Sequence, residues 1–315
     1  MAAIISTIDQ LATTVKINKS IPMDVVEPFL QTARDIYLVR YLGVELVEVL
    51  ELEATPERAV KLLKLVQQAL GPLAIWLGTA ELSVRFSDVG FTVSKMDGAS
   101  GYVPASDTKI GKVEESLERR GFQYLDAVLE YLEANADLFP EWKASRYYTL
   151  RGGNYILSAT QFQEIGLVDI DYSRLTFESL RSVMGMIELR FVKELLGDTL
   201  DTLLRSKLNT LPTPAEIQLI AAVRRFVACK TAQIVTSEAS NSNRSGGDAK
   251  EYKPLIRPLY ADPTDNGNFF AEQSGYNFSK IQQVLVIYAV EFGISAPVMA
   301  MEWNTAEGKI FNMEG

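Results

Sequence analysis

Three close carboxylate pairs, Glu45 with Glu48, Glu114 with Glu115 and Glu130 with Glu133, are the side chains here best suited to acid–base work. Two acids can divide the roles of proton donor and acceptor when their surroundings separate their pKa values. Each pair lies beside an apolar helical stripe, where a solvated face is the plainer account. The sequence has no histidine, which excludes a Ser-His-Asp triad, a Cys-His dyad, histidine metal sites and an imidazole proton shuttle. Its single cysteine, Cys229, sits in an apolar helical stretch with nothing to activate it and reads as a small buried hydrophobe. Asp262-Pro263-Thr264-Asp265-Asn266-Gly267 offers oxygen ligands, but its spacing misses the alternate-ligand pattern of a calcium loop and suits an Asx turn. Glycine-rich phosphate loops of either common kind are missing. No catalytic residue, metal or cofactor is assigned on these grounds.

The elements that would position such groups are helical. Val25, Val26, Phe29, Leu30, Ala33, Ile36 and Tyr37 recur at three-and-four spacing and predict a helix over about 22–42 with these residues inward, started by Asp24 and Glu27 as a capping pair. Gly43 interrupts it, and 44–52 continues as a shorter helix. Thr55-Pro56-Glu57 opens the next, with a hydroxyl at the cap and proline in the first turn. Its stripe runs through Trp76, and Gly71-Pro72 predicts a bend. Residues 85–109 carry three glycines and read as a long loop with a short strand near Phe91, followed by a helix over about 112–134 with Val113, Leu117, Leu125, Val128, Leu129 and Leu132 inward.

The second half repeats these signals in order. Ile4-Ile5-Ser6 is answered by Ile156-Leu157-Ser158, Tyr41-Leu42-Gly43 by Leu195-Leu196-Gly197, Thr55-Pro56 by Thr213-Pro214, and Glu141-Trp142 by Glu302-Trp303, at offsets drifting from 152 to 161. Ordered anchors with a slowly growing offset are what tandem duplication plus small insertions leaves. The expectation is a mainly α protein of two helical-bundle modules, 1–150 and 151–303, with a tail over 304–315. Each module would carry a long loop with little or short β structure. The second module's loop, 236–275, is forty residues rich in Ser, Asn, Gly, Asp and Pro, too long for a passive connection. Its aromatic residues predict an arm that lies on something.

Lys plus Arg total 31 against 40 for Asp plus Glu, a formal charge of −9, which disfavours a sequence-independent grip on nucleic-acid phosphates. The longest uncharged apolar stretch, 69–80, is well short of the roughly 20 residues of a membrane span. With no positively charged start before Lys16, the sequence reads as a mature protein made in a reducing cytoplasm.

The opening Ile4 to Asn18 segment, Val26-Glu27-Pro28-Phe29 through Tyr41-Leu42-Gly43, the Thr55-Pro56 helix, Asp88-Val89-Gly90-Phe91-Thr92-Val93 and Leu129 to Asn135 together resemble the head-tail connector, or adaptor, proteins of tailed bacteriophages. Similar segments occur in proteins of phages and proviruses of gut Bacteroidales, and the doubled form is similar to a ring protein of the crAss-like phage neck. The resemblance implies a helical bundle that assembles as a ring, commonly twelvefold, between the portal protein and the tail or a second neck ring. DNA would pass through the channel without sequence-specific contacts, and no membrane would be involved. The resemblance places the chain at the virion neck after synthesis in the host bacterial cytoplasm, and has no catalytic residues to carry over. Expected partner contacts are Phe91, Tyr102, Tyr252, Tyr260, Phe269, Phe270 and Trp303. Two alternatives are a soluble helical scaffolding or binding module without a ring, and a hydrolase using paired carboxylates.

Overall fold

In the computed structural model, residues 3–82, 85–87, 90–92, 107–149, 153–165, 168–208, 210–241, 257–258 and 266–294 are described. The fold is mainly α. The chain divides into two compact units, Met1–Leu150 and Arg151–Gly315.

The first unit opens with α1 (Ile8–Thr14), α2 (Met23–Ala33), a π turn (Arg34–Leu38), α3 (Val39–Leu42) and α4 (Val44–Leu50). A 3-10 turn (Glu57–Ala59) leads into α5 (Val60–Leu82). A two-stranded antiparallel pair, β1 (Arg85–Ser87) and β2 (Gly90–Thr92), precedes α6 (Asp107–Ala134), and α7 (Pro140–Ala144) and α8 (Arg146–Thr149) close the unit. Helices α5 and α6 form its antiparallel spine. Across them Trp76 meets Phe122 edge-on at 5.7 Å, and Tyr37 reaches the same ring at 5.5 Å. Such ring pairs add about 1 kcal/mol each beyond the area they bury.

Sequence periodicity located these helices but misplaced some of their faces. Val25, Ile36 and Val113 are exposed rather than inward. Ile36 lies within the π turn, whose wider step carries it off the α-helical stripe. Helix α2 begins after Pro22 without a side-chain cap, so Asp24 and Glu27 are not its capping pair. Helix α5 continues through Gly71-Pro72 as a single element. Gly71 serves close packing there: a Cβ would lie 1.9 Å from Thr14 Oγ1 of α1.

The second unit has α9 (Ala159–Glu164), β3 (Val168–Asp169), α10 (Arg174–Ile187), a π turn (Glu188–Val192), α11 (Lys193–Lys207), α12 (Pro214–Asn241), β4 (Arg257–Pro258) and α13 (Asn266–Ile287). Strands β3 and β4 pair antiparallel. Helix α12 starts with a capping box: Thr213 Oγ1 accepts from Glu216 N–H at 3.3 Å, and Glu216 Oε2 accepts from Thr213 N–H at 2.7 Å. Helices α12 and α13 pack antiparallel around Phe226 and Phe278, 5.3 Å apart. The arm expected over 236–275 is shorter than its composition suggested, because α12 continues to Asn241 and α13 begins at Asn266.

Among the described residues one helix, Glu57–Leu82, is long and apolar enough to cross a membrane by length and composition, yet half of its most apolar stretch is buried inside the protein. Core packing accounts for its apolar character.

Candidate functional site

The deepest charged groups of both units lie where the entering segment meets the π turn. In the first unit Ile4 and Ile5 are buried, and Thr7 Oγ1 caps α1 by accepting from Gln10 N–H at 3.2 Å. Gln10 Oε1 in turn accepts from Ser6 N–H at 2.8 Å, and Gln67 of α5 donates to the Ile4 carbonyl at 2.8 Å. Arg34, first in the π turn, grips Glu51 just past α4 through two parallel bonds, Nε to Oε1 at 2.5 Å and Nη2 to Oε2 at 2.8 Å. Its Nη1 donates to Asp35 at 2.7 Å. The paired Glu51, followed by Asp35, holds the guanidinium above its ordinary pKa against the opposing effect of burial. Ile4, Ile5, Ser6, Arg34 and Glu51 line a cavity of about 140 Å³ with Ala3, Glu27, Gln31 and Leu70.

The second unit repeats this joint with different chemistry. Ser158 caps α9 by accepting from Gln161 N–H at 3.1 Å, Gln161 Oε1 accepts from Leu157 N–H at 2.8 Å, and Arg224 of α12 donates to the Tyr155 carbonyl at 2.9 Å. The position matching Arg34 is Glu188, and the position matching Glu51 is Arg205. Glu188 Oε2 accepts from Arg205 Nη1 at 3.2 Å, while its Oε1 accepts from Tyr155 N–H at 2.8 Å. Asp201 adds a second carboxylate: Oδ2 accepts from Arg205 Nε at 2.9 Å and Oδ1 from the Tyr155 hydroxyl at 2.7 Å. Arg205 also donates to the Gly153 carbonyl and lies over the Tyr155 ring, 4.5 Å from its centre.

Two carboxylates share one guanidinium, and their burial sets the electrostatics. Glu188 is almost fully buried, and loss of solvent pushes its carboxyl up to about 7, although Tyr155 N–H and Arg205 oppose the shift. Burial, then the bond to Asp201, raises the Tyr155 phenol far above its usual range. Burial works against the charge of Arg205, but Asp201 and Glu188 overcome it and leave the guanidinium above its ordinary value. The cluster borders a cleft of about 420 Å³ with Gly153, Asn154, Gly185, Leu189 and Lys193. Cys229 does not join it: this residue is buried in α12 with its thiol pushed up to about 12 by burial. Among the described residues no three His, Cys, Asp or Glu side chains converge as metal ligands.

The carboxylate pairs singled out in the sequence are not part of this cluster. Glu45, Glu48, Glu114, Glu115, Glu130 and Glu133 stand on α4 and α6. Of the expected contact residues, Phe91 belongs to β2, while Tyr102, Tyr252, Tyr260 and Trp303 lie outside the described residues. Phe270 is fully buried and Phe269 half-buried on α13, their rings 5.4 Å apart, so Phe270 serves the core of its own unit rather than an arm. The signal that leads to Glu188 and Arg205 is the offset between matching segments of the two halves. The 154-residue offset linking Gly43 to Gly197 also links Arg34 to Glu188 and Glu51 to Arg205.

Comparison with known proteins gives one family match. A family described as "Family of unknown function (DUF6712)" matches residues 38–152, from the first π turn through the end of α8. No curated protein and no solved structure matches the chain.

Proposed function

We propose that this protein is a structural connector: two tandem copies of one helical bundle that build the wall of a ring between the portal and the tail of a phage particle, with DNA passing through. The observation that carries this reading is the exchange of Arg34–Glu51 for Glu188–Arg205 at matching joints. A site that performs acid–base chemistry depends on which group is the acid and which the base. A joint that ties a chain segment to a helix needs only opposite charges in contact, and either order serves. The deepest charges of both units are engaged in such ties, which favours a protein that holds shape and makes contacts. Matching cap geometry, π turns and broken helices at Gly43 and Gly197 support descent of the units from one ancestor. The acidic balance of −9 suits a channel that lets DNA slide.

The test is to purify the full chain with the portal protein encoded beside it and measure mass and shape by native mass spectrometry and negative-stain imaging. A portal-bound ring with a central hole is expected. A monomer or dimer that ignores the portal would sink the reading.

A further inference from the structure

The charged ties of the two units match, but the space beside them does not. The cap hydrogen bonds set Thr7 against Ser158 and Gln10 against Gln161, an offset of 151 that places Ile4 against Tyr155. The long helices mark the same pairing: Gln67 donates to the Ile4 carbonyl and Arg224 to the Tyr155 carbonyl. The 154-residue offset of the π turns places Met23 against Phe177, with no break in α2 or α10 between these positions and the turns.

In the second unit both of these positions hold buried aromatic rings. Tyr155 donates its hydroxyl to Asp201 and carries the Arg205 guanidinium over its ring. Phe177 meets the ring of Phe162 edge-on at 6.2 Å. Neither ring lines the second unit's cleft, which reaches Leu189 and Lys193 instead. In the first unit Ile4 and Met23 carry no ring, and both line the cavity of about 140 Å³. Buried Ile5, Leu30 and Leu70 extend its apolar wall. Arg34 and Glu51, with side chains 18% and 9% exposed, supply its charge. All of these walls belong to the described part of the first unit.

We infer that the cavity of the first unit is a binding site for a single phenolic ring. Its volume suits one six-membered ring, since an apolar cavity of about 150 Å³ holds benzene. Its charged residues are the kinds of group that Tyr155 meets in the second unit, a carboxylate for the hydroxyl and a guanidinium for the ring. Glu51 has room for a further bond, because each carboxylate oxygen carries two lone pairs and Arg34 uses one on each. A saturated ring of the same size would fill the space but make neither polar contact. Nothing in this site depends on the connector role.

The test titrates p-cresol, the tyrosine side chain as a free molecule, into the full chain and follows it by calorimetry and methyl NMR. One site per chain is expected, with a Kd of roughly 1 mM or tighter. Toluene, which lacks the hydroxyl, should bind about tenfold more weakly, the worth of one hydrogen bond. Equal binding of the two, or binding of neither, overturns the inference. The methyl signals of Ile4, Ile5 and Leu30 should shift during the titration, and shifts confined to other residues would overturn the site. Met23→Phe sets the second unit's residue in the cavity. It is expected to melt no lower than the parent and to weaken p-cresol by at least about tenfold. Unchanged affinity in that folded variant would likewise overturn the site. N-acetyltyrosinamide carries the same ring on a peptide backbone: affinity equal to that of p-cresol assigns the guest to a tyrosine of a polypeptide, and exclusion assigns it to a free phenol.

Discussion

Arg34 and Glu188 occupy the same place in two π turns 154 residues apart, and each holds a partner of opposite charge that is again 154 residues from its counterpart. Both are ion pairs, with the signs exchanged. In both units it ties the π turn to the helix that follows the glycine break.

Exchange of the first pair should therefore be tolerated where its disruption is not. Arg34→Ala leaves the Glu51 carboxylate, whose side chain is 9% exposed, without its partner and is expected to destabilise the first unit by about 3 kcal/mol. Adding Glu51→Arg to Arg34→Glu should recover most of the loss. Urea denaturation of the two variants measures the difference.

Proton linkage gives the second unit a pH dependence of definite sign. The folded pKa of Glu188, about 7, exceeds its ordinary 4.5, so between these values the folded protein binds more protons than the unfolded chain. The stabilisation from this group is fully present below about pH 4.5 and is lost as pH rises through 7. Glu188→Gln keeps an acceptor for Tyr155 N–H without the charge. Relative to the parent, it should gain stability from pH 5 to pH 8 by an amount on the order of 3 kcal/mol. A flat difference between the two melting curves across that range would count against the assignment.

Two helix glycines should respond oppositely to alanine. At Gly71 the new methyl group would run into the buried Thr14 hydroxyl, so Gly71→Ala is expected to cost about 1–3 kcal/mol by forcing α1 from α5. At Gly111 nothing among the described residues lies within 4 Å, and alanine should stabilise α6 by about 0.5–1 kcal/mol. Thermal melting of the two variants reads both effects.

Cys229 should stay unmodified by iodoacetamide at pH 8 in the folded protein and react fully in urea. Burial keeps it as the thiol, and the thiolate is the reactive form. Intact mass before and after unfolding shows the shift.

The long helices and the glycine break were legible in the sequence because apolar spacing and glycine are local signals; the Thr-Pro start holds at Thr213-Pro214, whereas at Thr55-Pro56 the proline is itself the cap residue of the 3-10 turn and no side chain caps it. The inward assignments of Val25, Ile36 and Val113 failed because a stripe of apolar residues can be wider than the seam that buries it, and because a π turn leaves no mark in hydrophobic periodicity. The buried cluster was missed for a different reason. Repeats are recognised by identical residues, and Arg34 opposite Glu188 is an antonym rather than a match. Tyr155 lies 46 residues before Asp201, and only the fold brings it to Asp201 and Arg205, which are one turn apart on α11.

Each π turn holds one residue more than an α-helix would use there. The wider turn absorbs that surplus locally, so deleting one residue, Asp35 or Leu189, would return the segment to regular α-helix and leave what lies downstream in its present phase. Leu42, or Leu196, would still reach the core before the chain met its glycine. The surplus residue is an insertion that the turn conceals from the rest of the unit.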